Sequence, residues 1–315
     1  MITKNNNNKR IIFFGTPEFA SFVLEKMALT EFKPIAVFTA LDKPLGRKQI
    51  LTPPIVKKTA EKYQIPVYQL KSLKNDEAKE KTLSLKPDLF IVAGYGIILP
   101  KNILEIPILG ALNIHPSLLP KYRGASPIQN AILNKESETG VTIMLMDEEI
   151  DHGPIITQKK ITLKEENYQE LEKKLAYLGV DLLIKILPNW LTKKIVPIPQ
   201  KHRDATFTKQ IKKEDGKINW HQSAGQIKQM FKAYQLWPGV YTYFGEKIIK
   251  IIDLEVLEKS HQEKPGKVFL IDKNLAIACG KNLIILKKIQ LEGKKPLDSK
   301  SFLNGHQKII NQILE

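Results

Sequence analysis

The chain of 315 residues is 43% hydrophobic and 26% charged, which is typical of a globular protein large enough for two domains. It contains no apolar run near the roughly 20 residues of a membrane-spanning helix and only one cysteine, Cys279, so we expect a cytoplasmic protein without disulfides or a membrane partner. The formal net charge of +16 favours a polyanionic partner such as a nucleic acid, although a general bias toward lysine would raise the charge without any partner.

Short apolar runs alternate with longer amphipathic ones through the first half of the chain. The apolar runs predict strands at 10–15, 34–40, 65–70, 87–96, 110–115 and 139–147. The amphipathic runs predict helices at 17–29, 54–63, 126–134 and 167–187. Apolar strands that alternate with helices indicate an α/β fold with a mostly parallel sheet covered on both faces. Such folds bind ligands at the carboxyl ends of their strands.

The second half of the chain has a different pattern. Residues 193–208 lose the periodicity and contain two prolines, so they are predicted to be a linker between a domain at 1–192 and one at 209–315. One helix at 223–235 and about five short strands predict a small β-barrel, with the oligonucleotide-binding (OB) type as one candidate. Residues 206–315 carry 19 lysines against 11 acidic residues, which is half of the net charge.

The usual cofactor signatures are missing from this sequence. The turn GTPEF that begins at Gly15 is neither a dinucleotide-binding glycine motif nor a Walker A loop, which disfavours a nucleotide cofactor. The histidines do not fall at zinc-ligand spacing, so no metal is expected.

Asn113, His115 and Asp151 are the residues most suited to chemistry. Asn113 and His115 end a predicted strand two residues apart, so both side chains point to the same side. A carboxylate can hold a histidine ring and favour its imidazolium form, and an amide NH₂ can donate to a developing oxyanion. This set suits direct attack of an amine on a carbonyl. The alternative is that the strand-end groups satisfy backbone and that Asp151 is an ordinary turn residue.

Several segments occur in an order that carries a family resemblance. They are GTPEFA, LDKPLGRKQILTPPIVK, AGYGIILP, LNIHPSLLPKYRGASPIQNAI and ETGVTIMLMDEEIDHGPI. Together they resemble the formyltransferase family that uses 10-formyltetrahydrofolate, and KINWHQSAGQI with LWPGVYT extends the resemblance past the linker. The resemblance implies a Rossmann-like first domain that binds folate and an OB-like second domain that helps to hold tRNA.

The resemblance also implies the site residues. The catalytic residues would be Asn113, His115 and Asp151. The folate pocket would be lined by Gly94, Tyr95, Gly96, Ile97, Ser117, Leu118, Leu119 and Pro120. The tRNA acceptor end would be contacted from the 41–49 loop by Lys43, Arg47 and Lys48, although a solvated charged loop would also explain these residues.

The resemblance further implies methionyl initiator tRNA as the formyl acceptor, tetrahydrofolate as the product, and no metal. We expect a monomer, since nothing in the sequence requires a dimer. Two alternatives remain: a family member that formylates a sugar nucleotide, glycinamide ribonucleotide or water, and a non-catalytic RNA-binding protein. His152 departs from the small polar residue expected in the family and would be a partly exposed neighbour, and Lys121 and Arg123 fit either a solvated face or a tRNA contact.

Overall fold

The structure, a computed structural model, describes residues 9–46 and 48–315. Its strands are β1 Ile11–Gly15, β2 Ala36–Thr39, β3 Lys43–Leu45, β4 Ile50–Thr52, β5 Val67–Gln69, β6 Leu89–Ala93, β7 Ala111–His115, β8 Arg123–Gly124, β9 Glu138–Leu145, β10 Ile155–Thr162, β11 Phe207–Thr208, β12 Val240–Phe244, β13 Lys247–Leu257, β14 Val268–Ile271, β15 Asn274–Ala278, β16 Leu283–Leu291 and β17 Leu297–Asp298. Its helices are α1 Glu18–Ala28, α2 Ile55–Lys62, α3 Asp76–Ser84, α4 Lys101–Leu104, α5 Pro127–Leu133, α6 Tyr168–Leu191, α7 Ala224–Ala233 and α8 Ser299–His306.

The first half of the chain forms one seven-stranded sheet with the order β10-β9-β7-β6-β1-β2-β5. The five strands from β7 to β5 in this order run parallel, and β9 and β10 are antiparallel to their neighbours. Every residue of β1, β6 and β7 is buried, because continuous apolar strands need cover on both faces of the sheet. The predicted mostly parallel α/β sheet is therefore confirmed.

Strand β7 lies between a parallel and an antiparallel neighbour. Val92 of β6 is opposite Asn113, and Thr142 of β9 is opposite His115. The parallel pairing brings the carboxyl ends of β6 and β7 to the same edge of the sheet. The antiparallel β9 starts beside the end of β7 and runs away from that edge, and the chain then turns back into β10.

Helix α6 packs closely on β7 through Gly179. A Cβ atom at this position would lie 2.6 Å from Cγ2 of Ile114 and 3.1 Å from Cγ1 of Val141. Ile114 is fully buried and lies between the two polar residues of β7 in sequence. The missing side chain of Gly179 thus sets how near the helix comes to this strand.

The second half forms an antiparallel sheet in the order β12-β13-β16-β15-β14, with β17 added beside β16. The last residues of the chain join the two ends of this order. Val268 of β14 donates its N–H to the carbonyl of Gln312 at 2.9 Å, and Tyr243 of β12 donates to that of Glu315 at 2.9 Å. These bonds close the sheet on itself, as expected for a small barrel.

The C-terminal region contains one helix more than predicted. Helix α8 begins after Asp298, whose side chain accepts from the N–H of Ser301, and Phe302 on this helix is buried. The eight residues have only a short apolar pattern, which is why periodicity alone missed them. Cys279 is buried in the same region, and burial raises the pKa of its thiol to about 12.

The chain divides into two compact units. The first comprises Met1–Pro127, Ser137–Leu163 and Glu170–Lys209, and the second comprises Ile128–Glu136, Lys164–Gln169 and Gln210–Glu315. The domain boundaries at 192 and 209 stay a prediction. None of the helices in the described ranges is long and apolar enough to cross a membrane.

Gly179→Ala is expected to lower the free energy of unfolding by about 1–3 kcal/mol, because the new methyl group must displace Ile114 or the helix. Gly305→Ala is the matched control: a methyl group added to this helical glycine would meet no atom within 4 Å, so the change should be neutral or stabilise by up to about 1 kcal/mol. Urea denaturation followed by circular dichroism measures both. Equal effects of the two substitutions would contradict the close packing of α6 on β7.

Candidate active site

The polar end of β7 meets a loop between β9 and β10. We call residues 146–154 the Asp151 loop. Asn113 is 9% exposed and His115 is 4% exposed, so both belong to the buried part of the strand. Both side chains approach the same carboxylate, that of Asp151, as the spacing of two residues on an extended strand predicts.

The Asp151 carboxylate has contacts on both oxygens. Its Oδ1 accepts a hydrogen bond from Nδ2 of Asn113 at 3.1 Å and lies 3.5 Å from Nδ1 of His115. Its Oδ2 accepts from the backbone N–H of Gly124 at 2.8 Å. The carboxylate is thus held against the imidazole by one side-chain and one backbone donor.

The contacts of His115 define where its protons lie. Its Nε2 is 3.0 Å from the carbonyl oxygen of Tyr122, and because a carbonyl only accepts, Nε2 must donate. Nδ1 then faces Asp151, and a second proton on Nδ1 would lie between ring and carboxylate. The two ring nitrogens of His115 thus face one backbone carbonyl and one carboxylate.

Asn113 keeps donor capacity beyond its bond to Asp151. A primary amide has two N–H groups, and the bond to Oδ1 uses one of them. The second N–H of the amide is thus available as a donor at this edge of the sheet, whereas both ring nitrogens of His115 already face partners. A donor in such a place can stabilise an oxygen that becomes negative during a reaction.

The segment 94–97 follows β6 at this edge of the sheet. Gly94 and Gly96 are exposed and have positive φ values of 54° and 76°. The ring of Tyr95 packs into the core 5.3 Å from that of Phe14, and its hydroxyl has no hydrogen-bond partner among the described residues. Burial raises the pKa of this hydroxyl to about 12. Ile97 is half-buried.

The segment 117–120 follows β7 and is fixed by its own hydrogen bonds. Ser117 donates its hydroxyl to the carbonyl of Lys121 at 2.7 Å, and Leu119 donates its N–H to Oγ1 of Thr142 at 3.1 Å. Ser117 and Leu119 are buried, so their side chains support the segment from within. Leu118 and Pro120 are half-buried, and the bond between Leu119 and Pro120 is cis.

The 41–53 region is a β-hairpin formed by β3 and β4, where the sequence predicted only a loop. Lys43 and Lys48 are exposed at this hairpin, and Arg47 lies outside the residues that the structure describes. Leu45 and Leu51 are also exposed, at 58% and 64% of their surface. Exposed leucines weaken the interpretation of this region as an ordinary solvated charged loop.

Lys121 and Arg123 have different environments. Lys121 is exposed, whereas Arg123 is 4% exposed and donates to the side chain of Gln200. A solvated basic face is therefore the wrong interpretation of Arg123.

His152 is half-buried, as expected: its Nδ1 lies 2.6 Å from Oδ2 of Asp147, and its ring stacks on that of His202 with centroids 4.2 Å apart.

Sequence reasoning missed the groups that hold Asp151 in place. Gly124 belongs to a motif but carries no predicted role, and Gln200 lies in a segment predicted to be a linker. Neither residue has a sequence signal of its own. Gly124 binds Asp151 through its backbone N–H, and Gln200 binds a backbone carbonyl of a segment distant in the chain. Within residues 9–46 and 48–315, no group of three histidine, cysteine or acidic side chains is placed to hold a metal ion.

Comparison with known proteins gives consistent similarities over almost the whole chain. Residues 9–187 match the family model described as formyl transferase, and residues 210–307 match the one described as formyl transferase, C-terminal domain. The chain is 41% identical over 304 residues to the methionyl-tRNA formyltransferase of Staphylococcus aureus strain MW2, covering 96% of this chain and 97% of that one. It is 42% identical over 306 residues to the methionyl-tRNA formyltransferase of Rickettsia bellii, covering 96% and 99%.

Solved structures are similar in fold at lower identity. HypX from Aquifex aeolicus, in complex with tetrahydrofolic acid, matches with a TM-score of 0.64 and 18% identity over 96% of this chain; the chain spans about half of HypX, 48% of its length. The N-formyltransferase from Helicobacter canadensis, in complex with folinic acid and dTDP-3-aminofucose, matches with a TM-score of 0.65 and 21% identity over 88% of this chain and 98% of that one.

Proposed function

The chain belongs to the formyl transferase family, and on that premise we propose that it transfers a formyl group from 10-formyltetrahydrofolate to the α-amino group of methionyl initiator tRNA. The observation that carries the proposal is the joining of Asn113 and His115 to Asp151 at the carboxyl edge of the sheet. The relatives at 41–42% identity bear the name of this activity over nearly their full length.

The folate substrate would lie along the two segments that follow β6 and β7. The surface beside the first segment is open: Gly94 and Gly96 are exposed, and a Cβ at Gly96 would meet no atom within 4 Å. Leu118 and Pro120 present partly exposed apolar surface on the second segment. Tetrahydrofolate and folinic acid are bound by similarly folded proteins, which supports this class of substrate.

The reaction would be a direct transfer between two nitrogens. The neutral α-amine attacks the formyl carbon, and a new carbon–nitrogen bond forms while the carbonyl oxygen becomes negative. The bond from the formyl carbon to N10 then breaks, and the proton lost by the amine is delivered to N10. No covalent bond to the protein is needed, in keeping with a site built from an amide, an imidazole and a carboxylate.

Each side chain would have one part in this sequence. Asn113 donates its remaining N–H to the oxyanion, which is stabilised more strongly than the neutral carbonyl. His115 would carry the proton between the two nitrogens, and for this its Nε2 must exchange the carbonyl of Tyr122 for the substrate. Asp151 orients the imidazole and stabilises its charged form, as the acidic member of a catalytic triad does.

The tRNA would be held by basic surface in both units. The hairpin of β3 and β4 would reach the acceptor end with Lys43, Arg47 and Lys48. Its exposed leucines would pack against an end base pair. The excess of eight positive charges in 206–315 would contact the phosphate backbone, which positions a nucleic acid without reading its sequence. We expect the enzyme to act in the cytoplasm as a monomer, without a metal.

A sugar-nucleotide formyltransferase is the second candidate, since the Helicobacter canadensis protein has a related fold and carries an amino sugar. The match to the C-terminal domain of the family and the high lysine content there favour the tRNA substrate.

Incubation with 10-formyltetrahydrofolate labelled in its formyl group should transfer label to methionyl initiator tRNA. Transfer to a dTDP-amino sugar or to glycinamide ribonucleotide, with none to the tRNA, would overturn the proposal.

Asn113→Ala is expected to lower kcat by roughly 100- to 1000-fold, the usual effect of losing one oxyanion donor. The dissociation constant for the folate should change less than threefold, because the amide acts on the transition state. Asn189→Ala, an exposed asparagine on α6, is the control and should leave kcat unchanged. Single-turnover kinetics and folate titration make the measurement, and near-normal turnover of Asn113→Ala would exclude the oxyanion role.

Arg47→Ala is expected to raise KM for the tRNA about tenfold while kcat changes less, since the residue would bind rather than react. Lys33→Ala serves as the control, because this exposed lysine precedes β2 whereas the hairpin follows it.

Raising salt from 50 to 200 mM should weaken tRNA binding by at least tenfold for the unchanged enzyme. A tRNA affinity that does not respond to salt would refute the basic contacts.

A further inference from the structure

Gln200, in the segment between the two family-model matches, reaches the backbone of the Asp151 loop. Its Nε2 donates to the carbonyl of Asp151 at 2.9 Å and to that of Gly153 at 2.7 Å. Its Oε1 accepts from Nε of Arg123 at 3.2 Å and from Nη2 at 2.7 Å. Gln200 is 5% exposed and Arg123 is 4% exposed, so this contact is closed to water.

The chemistry of the partners fixes the orientation of this amide. The guanidinium of Arg123 has only donors, so the group that faces it must be the oxygen of Gln200. The carbonyls of the Asp151 loop only accept, so the NH₂ must face them. All hydrogen-bonding positions of a buried side chain are thus used, and an apolar or acidic residue could not replace both halves.

The backbone of Asp151 needs such support. Its φ of 49° lies in the left-handed region, which a residue with a side chain rarely adopts unless its surroundings hold it there. The two carbonyls that Gln200 binds lie on either side of His152 and so brace the turn at this point. A flip of the 151–152 peptide would remove one of these bonds.

The same residue also connects the loop to the donor on the Asp151 carboxylate. Gly124 follows Arg123 directly in β8, and its N–H binds Oδ2 of Asp151. Gln200 therefore ties the backbone of the loop to the strand that holds the side chain. Arg123 is kept in place by a further bond from Nη2 to Nδ1 of His202 at 2.9 Å.

We propose that Gln200 is a positioning residue that fixes Asp151 relative to His115 for the transfer step by tying the backbone of the Asp151 loop to Arg123. This inference rests on the proposed function, because it gives Asp151 its catalytic task. Displacement of a catalytic group by about 1 Å can cost roughly 100-fold in rate. Loss of the Gln200 bonds should therefore lower kcat far more than it changes KM for either substrate.

Gln200→Glu is the sharpest variant. The carboxylate keeps the acceptor for Arg123 but has no N–H for the two carbonyls, so it releases the loop without emptying the site. We expect kcat to fall roughly 10- to 100-fold with both KM values within threefold. Gln200→Met, of similar length and uncharged, is the second variant. Gln290→Glu is the matched control, because the Gln290 side chain likewise donates to a backbone carbonyl, that of Lys294. The kcat of this control variant should equal that of the unchanged enzyme.

A double-mutant cycle separates positioning from a general loss of structure. If Gln200 acts through Asp151, Gln200→Glu should change the single-turnover rate less than twofold in an Asp151→Asn background. A structural role would instead give the same fold-loss in both backgrounds and would overturn the proposal. So would a kcat of Gln200→Glu within twofold of the unchanged enzyme.

Hydrogen–deuterium exchange of the Asp151 loop provides a readout that does not depend on activity. Gln200→Glu and Gln200→Met should speed exchange in residues 146–154 at least fivefold, while peptides of β1 and β6 stay unchanged. Unchanged exchange in the loop would refute the brace. If the unchanged enzyme transfers no formyl group to tRNA, the proposed function fails, and the exchange result still decides whether Gln200 holds the loop.

Discussion

The carboxylate of Asp151 is the point at which its own loop meets β7 and β8. It accepts from the Asn113 side chain on β7 and from the backbone of Gly124 on β8, and it faces the His115 ring. The Asp151 side chain is only 13% exposed, and a carboxylate so far removed from water costs free energy unless its lone pairs are used. Movement of one segment would leave polar groups without partners in a place that water does not reach freely.

Sheet topology and the fold of one loop together bring these segments into contact. The parallel pairing of β6 and β7 ends both strands at one edge, whereas the antiparallel β9 ends beside the start of β7, and the loop that follows folds back so that Asp151 reaches Asn113 and His115. The close approach of α6 at Gly179 packs β7 from behind. Asn113 and His115 thus extend from a buried apolar strand, which limits their motion, whereas Asp151 lies on a loop held by hydrogen bonds. Geometry held in this way suits a reaction that requires alignment more than chemical reactivity of the protein.

The proposed chemistry is consistent with the modest reactivity of the side chains involved. Transfer of a formyl group between two nitrogens needs a stabilised oxyanion and a path for one proton. The only cysteine of the chain is buried in the second unit, and its thiol stays protonated at neutral pH because burial raises its pKa to about 12. The site instead combines one amide, one imidazole and one carboxylate in direct contact.

Local patterns were sufficient for most of the main elements and for the placement of Asn113 and His115, whose catalytic role stays a prediction. Continuous apolar runs such as β1 and β6 predicted buried strands, and the spacing of Asn113 and His115 placed both side chains on one side of β7. Asp151 was identified only in combination with them. The helices α3, α4 and α8 and the hairpin of β3 and β4 were missed, because each is short and has a weak periodic signal.

The remaining features depend on contacts between residues far apart in the chain. Whether Arg123 faces solvent or lies buried beside Gln200 cannot be predicted from neighbouring residues, since 77 positions separate the two. The same holds for the bond of Gly124 to Asp151, which uses a backbone N–H that every residue except proline possesses. Sequence alone determined the kinds of elements, the edge of the sheet and the chemical groups at that edge, because periodicity and residue type are local properties. Tertiary structure decided which backbone atoms hold those groups in place, because hydrogen bonds between distant segments exist only after the chain has folded.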